Sequence, residues 1–282
     1  YFFCPFLILV AAITFLFSPQ PQSSKNYLQE YIVINKYMGF QVNIDANYYC
    51  ESAINPSSIF EKNHLRQSRP MYIFLGSIFF YPVNFFFDLI DFKNFNYTST
   101  FSNISSEIEN KQIRVQEKLH AYIGFIIINA LILLISLLIF HHILVSLNVS
   151  RNIIILTSLI LVYNFNVKIF FWTSTHCLLS ILAPLYSIYL LLYLQKNKTL
   201  IKQYHIFIIS FLNGILILMY GLFIIILPIM VIGFYLNYLF FKNKFSLWHL
   251  ITIPFYFLLP TLIWIITLEQ FFNGYYNHEF IY

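Results

Sequence analysis

Between Lys118 and Leu268 the chain contains no Asp or Glu. Across that half it runs as apolar stretches near 119–141, 152–171, 174–194, 206–220, 221–241 and 248–268, each apolar on all sides rather than along one stripe. A helix of that kind must be surrounded by lipid or by other helices. Roughly 20 apolar residues match a hydrocarbon core about 30 Å thick. With the run 2–17, FFCPFLILVAAITFLF, the pattern predicts an all-α polytopic membrane protein of about seven transmembrane helices with a large first extracytoplasmic loop. The run 206–241 exceeds one untilted crossing and is punctuated by Gly214, Gly221, Pro228 and Gly233, so two helices or one broken helix are expected there.

Composition agrees: 59% of the 282 residues are hydrophobic and 10% are charged, whereas soluble domains carry about a quarter charged residues. The 33 Phe and 22 Tyr beside 7 Gly follow the codon bias of an AT-rich genome and carry no functional weight. Cys4, Cys50 and Cys177 form neither a disulfide framework nor a CxxC pattern and are expected to be inert. No small-residue cleavage site follows 2–17, so it reads as an anchor rather than a signal peptide. A chain opening on Tyr1 and ending on Tyr282 without a polar tail is expected to be a piece of a longer one.

Positive charge sets the orientation. Arg151, then Lys196, Lys198 and Lys202, then Lys242 and Lys244 fall in alternate connections, while the intervening ones hold Lys168. The rule that short basic loops stay inside makes those connections cytoplasmic. Counting back, 91–118 lies outside, and the first span delivers residue 18 to the same side. The apolar run 71–90, MYIFLGSIFFYPVNFFFDLI, therefore begins and ends on one side. It is expected to be a membrane-hugging or re-entrant helix broken near Pro82, with an ordinary crossing as the alternative. The predicted organisation is an anchor at 1–17, an extracytoplasmic domain at 18–118 including a juxtamembrane helix at 70–91, a bundle at 119–268, and the start of a further extracytoplasmic loop at 269–282.

Nine of the 11 acids, all but Glu269 and Glu279, lie in that outer domain. Its segment DANYYCESAINPSSIFEKNHLRQSRPMY, 45–72, sets Asp45 and Glu51 ahead of Lys62, His64, Arg66 and Arg69, directly before the apolar run. Pro70 disfavours helix at Arg69 and holds it extended. Segment 94–110 is Ser/Asn-rich and reads as a surface loop with sequons at Asn96 and Asn103; Asp88 and Asp91 read as caps of the apolar helix. His141 and His142 have no neighbouring acids, which argues against a metal site. No glycine-rich phosphate loop is present, and no nucleic-acid partner is expected.

The order of one anchor helix, an outer loop with Asp45 followed by Tyr48 and Tyr49, RQSRPMYIFLG at 66–76 and then a polytopic bundle resembles the GT-C glycosyltransferases. Weaker likenesses are FWTSTHCLLSILAPLYSIYLLLYLQKNK at 171–198 and FLNGILILMYGLFIIILPIMVIGF at 211–234. In the second, Met219 and Tyr220 stand where many members carry an Arg. The resemblance implies sugar transfer from a polyprenyl-phosphate donor to a glycan, lipid or protein acceptor at the extracytoplasmic face of a membrane. The expected setting is a bacterial inner membrane with 18–118 in the periplasm.

Transfer of that kind needs a carboxylate to take the acceptor proton and positive donors for the departing phosphate. Asp45, with Glu51 beside it, is the expected base; Glu51 is otherwise a solvated acid. Arg66 and Arg69, whose planar forks suit phosphate oxygens, are the expected phosphate ligands, with Lys62 and a snorkelling Lys168 as helpers. Tyr48, Tyr49, His64, Tyr72, Trp172 and His176 are candidate substrate contacts. No cofactor is required, and a divalent cation beside the acids is left open. Arg66 and Arg69 read equally as interfacial anchors, and Asp45 as a solvated loop acid. Rival classes are a polysaccharide flippase or polymerase, a transporter, and a respiratory-complex subunit. The acid-free bundle speaks against a proton or cation relay.

Overall fold

The computed structural model describes residues 3–16, 29–35, 38–62, 64–89, 108–196, 203–241, 248–272 and 274–276. The sequons, Asp91 and the lysines at 198, 202, 242 and 244 lie outside the described residues. Ten helices are described in chain order: α1 (Phe3–Leu16), α2 (Ile44–Ile54), α3 (Pro70–Leu89), α4 (Ile108–Ser146), α5 (Arg151–Val162), α6 (Phe165–Phe171), α7 (Leu179–Lys196), α8 (Gln203–Ile217), α9 (Ile226–Phe241) and α10 (Trp248–Phe271). Short 3-10 turns occupy Pro56–Phe60, His176–Leu178 and Gly221–Ile225.

The expected all-helical class needs one amendment, an antiparallel hairpin of β1 (Gln29–Asn35) and β2 (Met38–Asn43). The β-branched run Ile32, Val33, Ile34 suits a pleated ribbon. Gln29 pairs with Asn43 and Ile32 with Phe40, with a register shift between Val33 and Asn35.

Among the described residues, four helices are long and apolar enough to cross a membrane: Pro70–Leu89, Gln116–Ser146, His176–Lys196 and Leu250–Phe271. The last three coincide with predicted spans 119–141, 174–194 and 248–268. Predicted spans 2–17, 206–220 and 221–241 fall on shorter apolar helices. Predicted span 152–171 is not one helix. Asn164 interrupts it, with its side chain accepting from the Asn166 N–H at 2.8 Å to cap α6. The expected break near Pro82 is also absent, since α3 runs through that proline. The carbonyl a helical proline strips of its partner belongs four residues earlier, to Ile78, which is 63% exposed.

The chain forms two compact units, Tyr1–Ser58 with Ile73–Leu134 and Ile155–Leu178, and Ile59–Tyr72 with Ile135–Ile154 and Leu179–Tyr282. In the first, α3 lies antiparallel against the N-terminal part of α4. A Cβ on Gly76 would meet Cζ of Phe125 at 2.3 Å, and one on Gly124 would meet the backbone of Phe79 and Phe80 at 3.3 Å. Further along, His120 Nδ1 lies 2.7 Å from Asn84 Oδ1, and Phe87 stacks on the His120 ring. Small residues that let backbones close up, joined by interhelical polar contacts, are the usual cement between helices in lipid. On the other face of α3, Ile78, Tyr81, Phe85, Phe86 and Leu89 are exposed.

In the second unit α8 and α10 run in the same direction, Phe207 meeting Tyr256 and Gly214 meeting Phe257 and Pro260. A Cβ on Gly214 would fall 2.0 Å from the Phe257 carbonyl oxygen, a backbone atom that cannot swing aside. Beside it α7 packs on α9, with Leu194 Cδ1 3.1 Å from the Cβ position of Gly233. The expected break in 206–241 falls at Tyr220, whose extended backbone separates α8 from the following turn.

Gly214→Ala should destabilise the fold by about 1–3 kcal/mol through overpacking, although alanine gains about 1 kcal/mol in helix propensity. Gly221→Ala meets nothing within 4 Å and should stay within about 0.5 kcal/mol of wild type. Thermal unfolding of the two variants in lipid nanodiscs compares them.

Candidate functional site

Helix α2 carries the acidic end of the segment picked out by sequence. Asp45 sits in its first turn, where a carboxylate complements the helix dipole. Ala46, Tyr49, Cys50 and Ala53 repeat at helical spacing and are buried, whereas Asp45, Tyr48 and Glu51 line an exposed edge. Three contacts hold the buried face in place. Ser174 Oγ donates to the Ala46 carbonyl at 2.9 Å, Ser77 Oγ donates to the Ala53 carbonyl at 2.8 Å, and Tyr49 OH lies 2.8 Å from His176 Nδ1. Lys118 Nζ, 2.8 Å from Glu51 Oε1, adds an ion pair at the rim. Being half in solvent, that pair contributes little to stability. Burial pushes the Cys50 thiol up to about 12, against smaller pulls from Ser174 and Lys118, so it stays an unreactive thiol at neutral pH.

The turn that receives α2 is irregular backbone, and its carbonyls are met by side chains of α4. Asn129 Nδ2 lies 3.2, 3.1 and 2.6 Å from the carbonyls of Phe170, Phe171 and Thr173. Tyr122 OH donates to the Trp172 carbonyl, and Thr173 Oγ1 donates to that of Phe170 at 3.0 Å. Every carbonyl from 170 to 173 thus has a donor. Those of Phe170 and Phe171 are among the carbonyls that the end of α6 leaves without helical partners.

The basic end lies in the other unit, on the segment 61–69. Gln67 is completely buried. Its Nε2 donates to the Glu61 carbonyl at 2.8 Å, its Oε1 accepts from the Tyr276 N–H at 2.7 Å, and its main-chain carbonyl accepts from Trp264 Nε1 at 2.7 Å. Phe60 packs its ring against Trp264 and Phe272 at centroid distances of 5.7 and 4.5 Å. The Met71 N–H donates to the Leu218 carbonyl at 3.2 Å, and the Arg69 guanidinium carbon stands 6.0 Å from the centre of the Tyr220 ring, within cation–π range. Lys62 is exposed, while His64, Arg66 and Arg69 are half-buried. His64 Nδ1 accepts from the Arg66 N–H at 3.3 Å. Burial holds this imidazole below the ordinary histidine range, with Glu61 pulling it up and Arg66 pushing it down by less.

The structure therefore gathers Asp45, Tyr48 and Glu51 on one edge of α2, and Lys62, His64, Arg66 and Arg69 on one loop. Of the expected substrate contacts, Tyr49 and His176 are buried and turned on each other, and Tyr72 is fully buried. Trp172 is half-buried beside Phe171, and Lys168 is half-buried in the last turn of α6. Among the described residues no three His, Cys, Asp or Glu side chains gather where they would hold a metal ion.

Residues that sequence reasoning missed are Gln67, Lys118, Tyr122, Asn129 and Tyr220. An amide in mid-run, Asn129 within IIINALILL, was a readable signal of an intramembrane polar contact. Gln67 left no such sign. Compared with known proteins, the chain matches no family model, and no curated protein or solved structure is significantly similar to it.

Asn129→Leu should cost about 1–3 kcal/mol by stranding buried carbonyls, read from the thermal midpoint in nanodiscs. Neutral His64 is the folded form. Its contribution to stability is full above the unfolded value of about 6.5 and is lost as pH falls through its lower folded value. Melting curves from pH 8 downward should therefore lose stability below about 6.5, and His64→Asn, which keeps an acceptor for Arg66 N–H, should flatten that loss.

Proposed function

We propose that the chain is a membrane glycosyltransferase of the GT-C kind, moving a sugar from a polyprenyl-phosphate donor at the extracytoplasmic face. The observation that carries the reading is the place of the basic loop. Within its unit, the loop 61–69 meets Tyr220 beyond the C-terminal end of α8 and is bound to Trp264 and Tyr276 toward and beyond that of α10, and the N–H of Met71, just after the loop, donates to the Leu218 carbonyl. The lysine-bearing connections 197–202 and 242–247 enter those helices at their opposite ends. If basic short loops stay inside, the basic loop belongs outside, at the height of a lipid headgroup.

In this reading Arg69 and Arg66 meet the donor phosphate with charge-assisted hydrogen bonds, with Lys62 as an outlying point charge. Arg69 over Tyr220 brings a cation to the helix break where many GT-C proteins carry an Arg of their own. Asp45 takes the proton of the acceptor hydroxyl as it attacks the anomeric carbon, and the departing phosphate keeps the bonding electron pair. Glu51, tied to Lys118 and accepting from Asn47 at 3.2 Å, steadies α2 and takes no proton.

Asp45→Asn should lower transfer from a polyprenyl-phosphate sugar in membranes by about 10²–10⁴-fold while leaving the melting point in place. Unchanged transfer would reject the catalytic role and favour a flippase or polymerase that binds the same lipid-linked sugar. Maleimide labelling of cysteines placed at 95–110 should succeed from the outside of intact cells.

A further inference from the structure

We infer that Gln67 is a positioning residue that fixes the basic loop in its anion-binding shape, an inference that rests on the phosphate reading of Arg66 and Arg69. The loop lacks regular structure over Leu65–Arg69, so its shape must come from elsewhere. Within the loop, the Arg69 N–H donates to the Arg66 carbonyl at 3.0 Å and the Gln67 N–H to that of His64 at 3.3 Å, bonds of single turns. Gln67 alone of the four residues 66–69 is fully buried. One of its bonds reaches back along the loop to Glu61, and two are long-range, to Trp264 on α10 and to Tyr276.

A primary amide suits this place because it offers a donor and an acceptor from one end, and both are used. A carboxylate lacks the donor, and an aliphatic side chain would strand the Glu61 carbonyl and the Tyr276 N–H in a dry site. The two arginines flank this anchor at positions 66 and 69, so the same clamp sets the spacing of both guanidinium groups. With the loop ordered beforehand, an incoming phosphate does not have to order it. The phosphate comes either from a lipid carrier or from solution, and the two sources share this chemistry.

The test uses the full chain in phosphatidylcholine nanodiscs, with farnesyl phosphate and inorganic phosphate as probes. Four proteins are compared: wild type, Gln67→Met, Arg69→Gln and the double variant. Wild type should bind farnesyl phosphate more tightly than inorganic phosphate if the carrier is a lipid. Gln67→Met should weaken binding about tenfold, the equivalent of one hydrogen bond's contribution, and hydrogen exchange should rise over 61–69. Because Gln67 acts through Arg66 and Arg69 together, Gln67→Met should cost clearly less affinity in the Arg69→Gln background than in wild type.

Losses that simply multiply in the double variant, as general destabilisation would produce, overturn the inference. So does a Gln67→Met protein whose affinity and loop exchange are unchanged while wild type binds. Failure of wild type to bind either probe rejects the phosphate reading itself, and this role with it. Should Gln67→Met not fold, Trp264→Phe removes the indole donor to the Gln67 carbonyl, and the same loss of affinity and non-additivity with Arg69→Gln are expected.

Discussion

Where water is scarce, each backbone carbonyl and N–H must find a partner inside the protein. In regular helix that requirement is met automatically. It becomes a problem wherever helices stop, and this chain has several such stops in or beside apolar runs, at Asn164, at Trp172 to Thr175, and at Tyr220. The first two are answered by particular side chains, and beside the third the Leu218 carbonyl accepts from the Met71 N–H. Asn164 caps α6, and Asn129 and Tyr122 cover the carbonyls of 170–173. The irregular turn so stabilised receives α2 through Ser174. The position of Asp45 therefore depends on an amide two helices away in sequence.

The same requirement organises the basic loop. Single turns cannot satisfy a loop packed under aromatic rings, and Gln67 supplies what they lack. The strongest charges of the segment, Arg66 and Arg69, then stand on a fixed base rather than a free strand. Tyr220 lies under Arg69 because the chain has to leave helical geometry there to turn into the next element. A helix break and a cation thus come to one place, which makes the arrangement suited to an anionic group.

Sequence legibility varied with the kind of signal. Long apolar runs marked the membrane-length stretches of α4, α7 and α10, Gln116–Ser146, His176–Lys196 and Leu250–Phe271, within five residues at each end, and the glycines and Pro228 marked the region in which α8 gives way to α9. Glycine by itself was ambiguous: Gly221 adjoins the break, whereas Gly214 and Gly233 sit inside helices as contact points. Proline misled at 82, where an exposed helix face tolerates the lost hydrogen bond. In 152–171 apolar character masked a polar interruption, since the cap at Asn164 depends on one side-chain oxygen and leaves hydropathy nearly unchanged. The aromatic candidates Tyr49, Tyr72 and His176 are buried whereas Tyr48 is exposed, a distinction that residue type does not carry.

The sequence by itself determined that the chain is built of apolar helices suited to a bilayer, and that nine of its 11 acids and the basic cluster at 62–69 lie ahead of the apolar half that begins at 119. Burial of apolar surface depends on composition over tens of residues, so it can be read along a line. Tertiary structure decided which polar groups are spent on the protein's own backbone and packing and which remain on an open edge: Asn129, Tyr122, Gln67 and Tyr49 among the first, Asp45 and Tyr48 among the second. Hydrogen bonds are short and directional, and the partners here lie up to 209 positions apart in the chain. Spacing along the sequence contains no record of such pairs.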